Sequence, residues 1–445
     1  MTRTTSRAAL GALFLTVGAA GPGATAAPAQ DLLITNVRIV DPDARTTREG
    51  NVLVRDGAIA AFPSSAPAEF EGETLDGGGR WLIPALTDLH THSFGNTGPS
   101  GQMQMLGAPG TARVALYVGV ARFLDLFAPE DMILALRDRQ RAGGVPGAEI
   151  LAAGPCLTAT NGHCSEYGVP TRLVNTPAEA REQVDALAPR RPDVVKVVYD
   201  HADYGGPGMP SIDRPTLAAV VEAASDHGLR TVVHVGTWDD LRDAVEVGAA
   251  AVTHTPAGEP PPDLVALMVE RGTFHIPTLA VQSDYAHFLE RPELLDDPLL
   301  ARVTSEGLRD AFREPPEDGS RMARWVARQR AQSADELASV ARLAAAGVIM
   351  LTGTDAGNPA VFQGYSVHRE LALLVEAGLS PWDALAASTT NAGRLLGRKW
   401  GMEPGDEATF VLLDASPIED IRNTTRIHAV VERGRVVDRE ALLPS

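Results

Sequence analysis

Residues 81–92 read WLIPALTDLHTH, an apolar run that stops at Asp88, Leu89, His90, Thr91 and His92. Side chains on a strand alternate between its two faces, so His90 and His92 share one face at the strand's end. Neutral imidazole binds divalent zinc, iron, nickel or copper well, and two neighbours on one face chelate with little extra ordering. A lone His-x-His is equally well two polar residues closing a strand. The rest of the chain has to decide.

Downstream the text alternates. Apolar runs of strand length (GVARFLDLF, AEILAAG, VVKVVYD, TVVHV, AAVTH, FHIPTL, VIMLTGTD) are interleaved with segments of helical spacing such as PTLAAVVEAASDHG and WDDLRDAVEVG. With PALTDLH they make eight strands. Strands alternating with helices predict a parallel sheet, and eight such units over about 300 residues fit an α/β fold of the TIM-like (β/α)8 barrel type, here 81–397, with its active site at the C-terminal strand ends. One charged, Pro-bearing stretch of helical period, about 283–330, interrupts the pattern after the seventh strand. It reads either as a lid or dimer contact, or as a solvated surface helix pair.

The two ends of the chain read differently. LLITNVRIVDP, GNVLVRDGAIAAF and ETLDGGG before the barrel, and ATFVLLDAS and IHAVVERGRVV after it, are short alternating runs broken by Gly, Pro and Asp. Neither end closes a core alone, so 28–80 and 398–445 are expected to pack together as a small composite β-sandwich. At the start, Arg3 and Arg7 precede the apolar run Ala8 to Ala20, and Ala24, Thr25 and Ala26 form a small-x-small pattern. This reads as a signal peptide over 1–27 and a periplasmic or secreted product, with no membrane association after cleavage. The formal net charge of -18 argues against nucleic acid and against anionic membrane surfaces. The charge says little about the substrate; the expected partner is a small molecule, with or without assembly into a homo-oligomer. In an oxidising compartment Cys156 and Cys164 are expected to pair as a disulfide, clipping a loop that carries His163.

The polar residues that close the predicted strands can then be taken together. His90 and His92 end the first, Lys196 lies in the fourth, His234 ends the fifth, His254 the sixth and Asp355 the eighth. Each is an expensive residue where Val or Ile would be the default. Lys196 stands out because the chain has only one other lysine, Lys399, and uses Arg for every other permanent positive side chain. Flanked by Val194, Val195, Val197 and Val198, its ammonium is disfavoured by burial, which suits a lysine used chemically. His163, Tyr199 and Tyr204 follow strands three and four and are candidate substrate contacts at the barrel mouth. His201 is read as facing its loop, His275 as structural, and His227, His287, His368 and His428 as solvent or core histidines.

The set His90-x-His92, Lys196, His234, His254 and Asp355, in this order and on these strands, resembles the metal-dependent amidohydrolase superfamily. The text of TLDGGGRWLIPALTDLHTH, LTGTDAGNP and HRELALLVEAGLSPWDALAASTTNAGRLLG is similar to the branch of imidazolonepropionase and Xaa-Pro dipeptidase. The resemblance implies two divalent metal ions, usually Zn2+, with His90, His92 and Asp355 on one and His234 and His254 on the other. It implies a Lys196 carboxylated by carbon dioxide as the bridge, and a metal-bridging hydroxide served by Asp355 as general base and then acid. Three departures stand out: Ala85 replaces the usual glycine of Pro-Gly-Leu, Gly236 follows His234-Val235 where some relatives carry a second histidine, and the text after Lys196, YDHADYGGPGMPSID, is longer and more aromatic than in the dipeptidases. The implied function is hydrolysis of an amide bond in a dipeptide or N-acyl amino acid. A lactone, carbamate or phosphotriester hydrolase would use the same metals, and a non-enzymatic periplasmic metal- or solute-binding protein is the reading from another class.

Overall fold

The computed structural model describes residues 31–65, 67, 69–202 and 208–443. The signal peptide read over 1–27 and the contact assigned to Tyr204 lie outside these residues.

Strand β1 (Leu32–Asp41) ends where the Asp41 carboxylate accepts the backbone N–H groups of Asp43 and Ala44, turning the chain into the antiparallel β2 (Thr46–Arg55). Asp56 and Gly57 both take positive φ, the geometry of a tight hairpin, and lead into β3 (Ala58–Ala61). Strand β4 (Glu73–Pro84) lies parallel to β1 and continues, after Ala85, into β5 (Leu86–Thr91), the buried strand that carries the paired histidines.

From there the strands run parallel wherever they join the main sheets. A small hairpin of β6 (Gly95–Thr97) and β7 (Met103–Met105) is followed by β8 (Val120–Asp125) and β9 (Glu149–Ala152), which make a three-stranded sheet β5-β8-β9. A six-stranded sheet follows, in the order β11-β10-β12-β13-β14-β15: β10 (Cys156–Thr158), β11 (Arg172–Leu173), β12 (Val195–Tyr199), β13 (Thr231–Val235), β14 (Ala251–Thr253) and β15 (Phe274–Ile276). Strands β8, β12 and β13 are buried at every residue, as strands covered on both faces must be. The connecting helices start on side-chain caps: Thr176 accepts Glu179 N–H, Asp213 accepts Thr216 N–H, and Thr237 forms a capping box with Asp240.

The eighth predicted strand is reduced to single bridges. His275 N–H donates to Ile349 O and Leu351 N–H to His275 O on one side, while Leu89 N–H donates to Thr352 O on the other. Ladder pairing ends there because Gly353 packs against His90 and Asp355 turns into the left-handed region at φ 61°. A Cβ at Gly353 would lie 2.4 Å from Ile276 and 2.8 Å from the His90 Cβ. The parallel strands therefore form two sheets, bridged by this segment and by Asp193, whose N–H donates to Ala152 O.

The chain ends meet through β16 (Phe410–Leu413), which pairs with β4, and through β17 (Ile427–Glu432) and β18 (Arg435–Val436). They do so within one seven-stranded sheet, β18-β17-β16-β4-β1-β2-β3, where two facing layers were expected. The sheet curls, with Ile59 N–H donating to Asp406 O and Ala408 N–H to Gly57 O, and encloses Leu32, Ile34, Val52, Leu82, Phe410 and Leu412. The stretch read as an insertion packs into the main core. Tyr285 and Phe288, on the helix Leu279–Glu290, meet Phe312 ring to ring, and all three are fully buried.

Candidate metal centre and active site

Three of the expected ligands converge first. The Nε2 atoms of His92 and His90 lie 2.9 and 3.4 Å from one oxygen of Asp355, and the ligand atoms of all three residues fall within 4.8 Å of one another. Strand β5 supplies the two rings on one face, as alternation requires. Asp355 reaches them because its own N–H and that of Thr354 donate to His90 O, which folds the strand end back on β5. Below them Asp88 accepts Thr354 Oγ at 2.6 Å and the N–H groups of Thr354 and His90, and burial pushes its carboxyl up to about 7.

The other histidines arrive on adjoining strand ends. His254, at φ 75°, places its Nδ1 2.8 Å from Thr278 Oγ. That hydroxyl already donates to Pro277 O, so it accepts from Nδ1–H and leaves Nε2 of His254 as the bare nitrogen. His90 is held by Thr253 Oγ, 2.7 Å from its Nδ1. Burial, reinforced by neighbouring positive groups, holds His90, His234 and His254 well below the usual histidine range, so these rings are neutral and ready to ligate. Burial also disfavours a charged His92, yet the Asp355 carboxylate outweighs it and lifts that ring. Asp355 is in turn held low by His92 and its neighbours against the cost of burial.

Lys196 points into the same space from β12. It is 2% exposed, its Nζ has no hydrogen-bond partner among the described residues, and burial brings its amine down to about 8. A buried amine left unpaired is costly, and so is the unpaired Nδ1 of His92. Neutral imidazoles, an ionised carboxylate and an amine without a partner form a donor set suited to divalent metal, and the residues present fit such a group.

Of the three substrate contacts expected from sequence, His163 reaches the site, its ring 4.9 Å from that of His234, with Nδ1 2.7 Å from Glu166. Tyr199 does not. It is an odd number of residues from Lys196, so it faces away from the site, and its hydroxyl donates to Asp243 at 2.7 Å in the helix Trp238–Glu246. His201 pairs with Asp240 on that same side. His275 is buried against Thr255 Oγ, and His368 is buried between Thr424 Oγ and Val118 O, both packing roles. The expected disulfide is absent: Cys156 and Cys164 are both free and buried. They are neighbouring thiols, Cys156 in register with Lys196 and Cys164 at φ 85° in the His163 loop.

Several functional residues went unread in the sequence. Thr253 and Thr278 orient ligands. Glu370, fully buried, accepts the N–H groups of Leu279 and Ala280 at 2.9 and 2.7 Å and so fixes the helix start that carries Thr278. Asp200 stands 3.8 Å from His234 and explains Gly236, because a Cβ there would lie 2.0 Å from the Asp200 carboxylate. The pattern Thr-His at residues 253–254 was a visible signal; Glu370, about 90 residues from what it holds, gave none.

Residues 81–437 match the amidohydrolase family model. Imidazolonepropionase of Deinococcus deserti is 25% identical over 400 residues, 84% of this chain and 87% of that protein. L-hydantoinase of Paenarthrobacter aurescens is 34% identical over 62 residues, 14% of this chain, and the chain spans 13% of that protein's length. Among solved structures, a Xaa-Pro dipeptidase with bound methionine in its active site superimposes with a TM-score of 0.74 at 19% identity, covering 92% of this chain and 99% of that one. Such neighbours are of the TIM-barrel type, in keeping with the parallel sheets here. The match over most of the chain, together with the His90, His92 and Asp355 cluster at the strand ends, places this protein in the amidohydrolase family, as a hydrolase acting on C–N bonds.

Proposed function

We propose that this protein is an exported, binuclear metal-dependent hydrolase that cleaves an amide bond in a dipeptide or N-acyl amino acid. In this reading His90, His92 and Asp355 hold one divalent ion, His234 and His254 hold the second, and Lys196, carboxylated on Nζ with release of a proton, bridges them. Zn2+ is the ion that suits an imidazole-rich, tetrahedral-tolerant set. The two parallel sheets, joined through 349–355 and Asp193, are taken as one (β/α)8 barrel, with the terminal sheet as its appendage.

The observation that carries the reading is Lys196: a buried amine with no partner among the described residues, set beside neutral imidazoles. Carboxylation would give it ligand oxygens and remove the cost of the unpaired nitrogen. When bound, the metal pair supplies a nucleophile at neutral pH and a Lewis acid for the substrate carbonyl. The chain does the rest. Asp355, kept ionised, takes a proton on its carboxylate and returns it to the leaving nitrogen, while Thr278 fixes the His254 tautomer, Thr253 holds the His90 ring and His163 faces the substrate beside His234.

The test is metal analysis beside turnover of dipeptide, N-acyl amino acid, lactone and phosphotriester panels on one metal-loaded preparation. About two divalent ions per chain and hydrolysis of the amides are expected. Lys196→Ala should lose activity and much of one metal, with partial recovery in short carboxylic acids. One tight ion with full activity in that variant would refute the bridge, and turnover confined to the lactones or phosphotriesters would refute the substrate class.

A further inference from the structure

The rings around the site form a closed circuit. Following centroid to centroid, His90 meets His92 at 5.4 Å, His92 meets Phe127 at 6.3 Å, Phe127 meets Tyr167 at 6.4 Å and Tyr167 meets His163 at 5.8 Å. From His163 the circuit returns through His234 at 4.9 Å and His254 at 4.3 Å to His90 at 5.1 Å. Five of these rings are histidines. The other two, Phe127 and Tyr167, have no capacity to ligate as neutral groups and span the gap between His92 and the His163 loop.

What lies behind them is also apolar. Phe127 packs on the buried cluster of Cys156, Cys164 and Val198, all on the interior side of their strands or loop. Tyr167 is half exposed at 51%, so its ring presents a face to whatever enters the mouth. Both rings are mounted firmly. Asp125 accepts Phe127 N–H on one oxygen and both Ser93 N–H and Ser93 Oγ on the other, tying Phe127 to the turn that follows His92. Tyr167 closes a 3-10 turn, Ser165–Tyr167, held by the His163–Glu166 pair and by Ser165 N–H and Oγ on Gly162 O. A half-exposed aromatic face mounted rigidly beside reactive groups costs solvation unless a ligand covers it, and it binds without an ordering cost.

We propose that Phe127 and Tyr167, backed by Cys156, Cys164 and Val198, are the subsite for an aromatic or long aliphatic substrate group next to the scissile C–N bond. The proposal names the substrate class of the site described above and rests on the hydrolytic reading of it. A charged side chain at this position loses its hydration against the two ring faces, whereas an apolar one gains contact with them.

The experiment measures kcat/KM for N-acetyl-L-phenylalanine, N-acetyl-L-leucine, N-acetyl-L-alanine and N-acetyl-L-aspartate with the metal-loaded protein and with Phe127→Ala, Tyr167→Ala and Tyr167→Phe. The unmodified protein should favour the phenylalanine and leucine compounds over the aspartate one by at least about tenfold. The two alanine variants should lower kcat/KM about tenfold for the large apolar compounds, mainly through KM, and by less than about threefold for N-acetyl-L-alanine. Tyr167→Phe should retain the preference. Equal losses on all four compounds, or a preference for aspartate, would overturn the subsite. If none of the four is hydrolysed, the N-acyl amino acid reading falls and calorimetric titration with the same compounds decides the subsite separately. Tighter binding of the phenylalanine than of the aspartate compound, lost in Phe127→Ala, supports it; equal or absent binding refutes it.

Discussion

Two threonines decide how the centre is aimed. His254 can offer Nε2 only because Thr278, its proton committed to Pro277 O, accepts from Nδ1–H, and Thr253 holds His90 by the corresponding nitrogen. Thr278→Val keeps the shape and removes the acceptor, and Thr253→Val removes the hydrogen bond to His90, so metal affinity should fall about 10- to 100-fold. Competition with a chelator of known affinity would measure it, and an unchanged affinity would show that packing alone orients the rings. The polar residues proposed as ligands were legible in sequence because each interrupts an apolar run that had no other use for it. Tyr199 was misplaced by a face rule that Lys196 already fixed: inward at 196 means outward at 199. Thr278 was not legible, since its role depends on a left-handed backbone at φ 54° that no local pattern announces.

At the scale of elements, the helix Leu279–Glu290 is a mounting for Thr278, and another helix secures it. Glu370 takes the first two N–H groups, and its neighbour Arg369 donates to Asp284, which is fully buried one turn further along. These two adjacent residues of HRELALLVEAG hold one helix at its start and along its side. Glu370→Gln leaves one oxygen to accept and turns an NH2 toward the other donor, which should cost about 1–3 kcal/mol of stability. It should also weaken metal retention, because the start of the helix sets where Thr278 meets His254. Urea unfolding of metal-free protein reads the first effect and chelator competition the second; a variant that loses neither would sink the coupling. The periodicity of the strands and helices was visible in the chain. The reduction of the eighth strand to bridges was not, since it follows from Gly353 meeting His90 across the fold.

The molecule as a whole buries a carboxyl group that it keeps protonated, and that bears on how stability should vary with pH. Glu336, in the helix Arg321–Ala345, is 2% exposed, its Oε2 has no hydrogen-bond partner among the described residues, and burial pushes it up to about 8. A folded chain that holds protons the unfolded chain has released is stabilised by them at low pH. That contribution is complete below the unfolded value near 4.5 and is lost as pH rises through about 8. Buried His90, His234, His254 and His275 run the other way: held below 6.5, they cost stability as pH falls below 6.5 and are neutral in both states above it. Lys196, at about 8, adds nothing until higher pH. Between pH 6.5 and 8 Glu336 acts in the same direction as His92 and His163, whose carboxylate neighbours lift them above 6.5, and metal-stripped protein should lose stability with rising pH, each group contributing up to about 1.4 kcal/mol per pH unit. Glu336→Gln removes one such share, because its amide stays neutral at every pH. Urea unfolding across that window should give a shallower slope for the variant and a higher stability at pH 8, and two parallel slopes would show that Glu336 is already ionised in the folded chain.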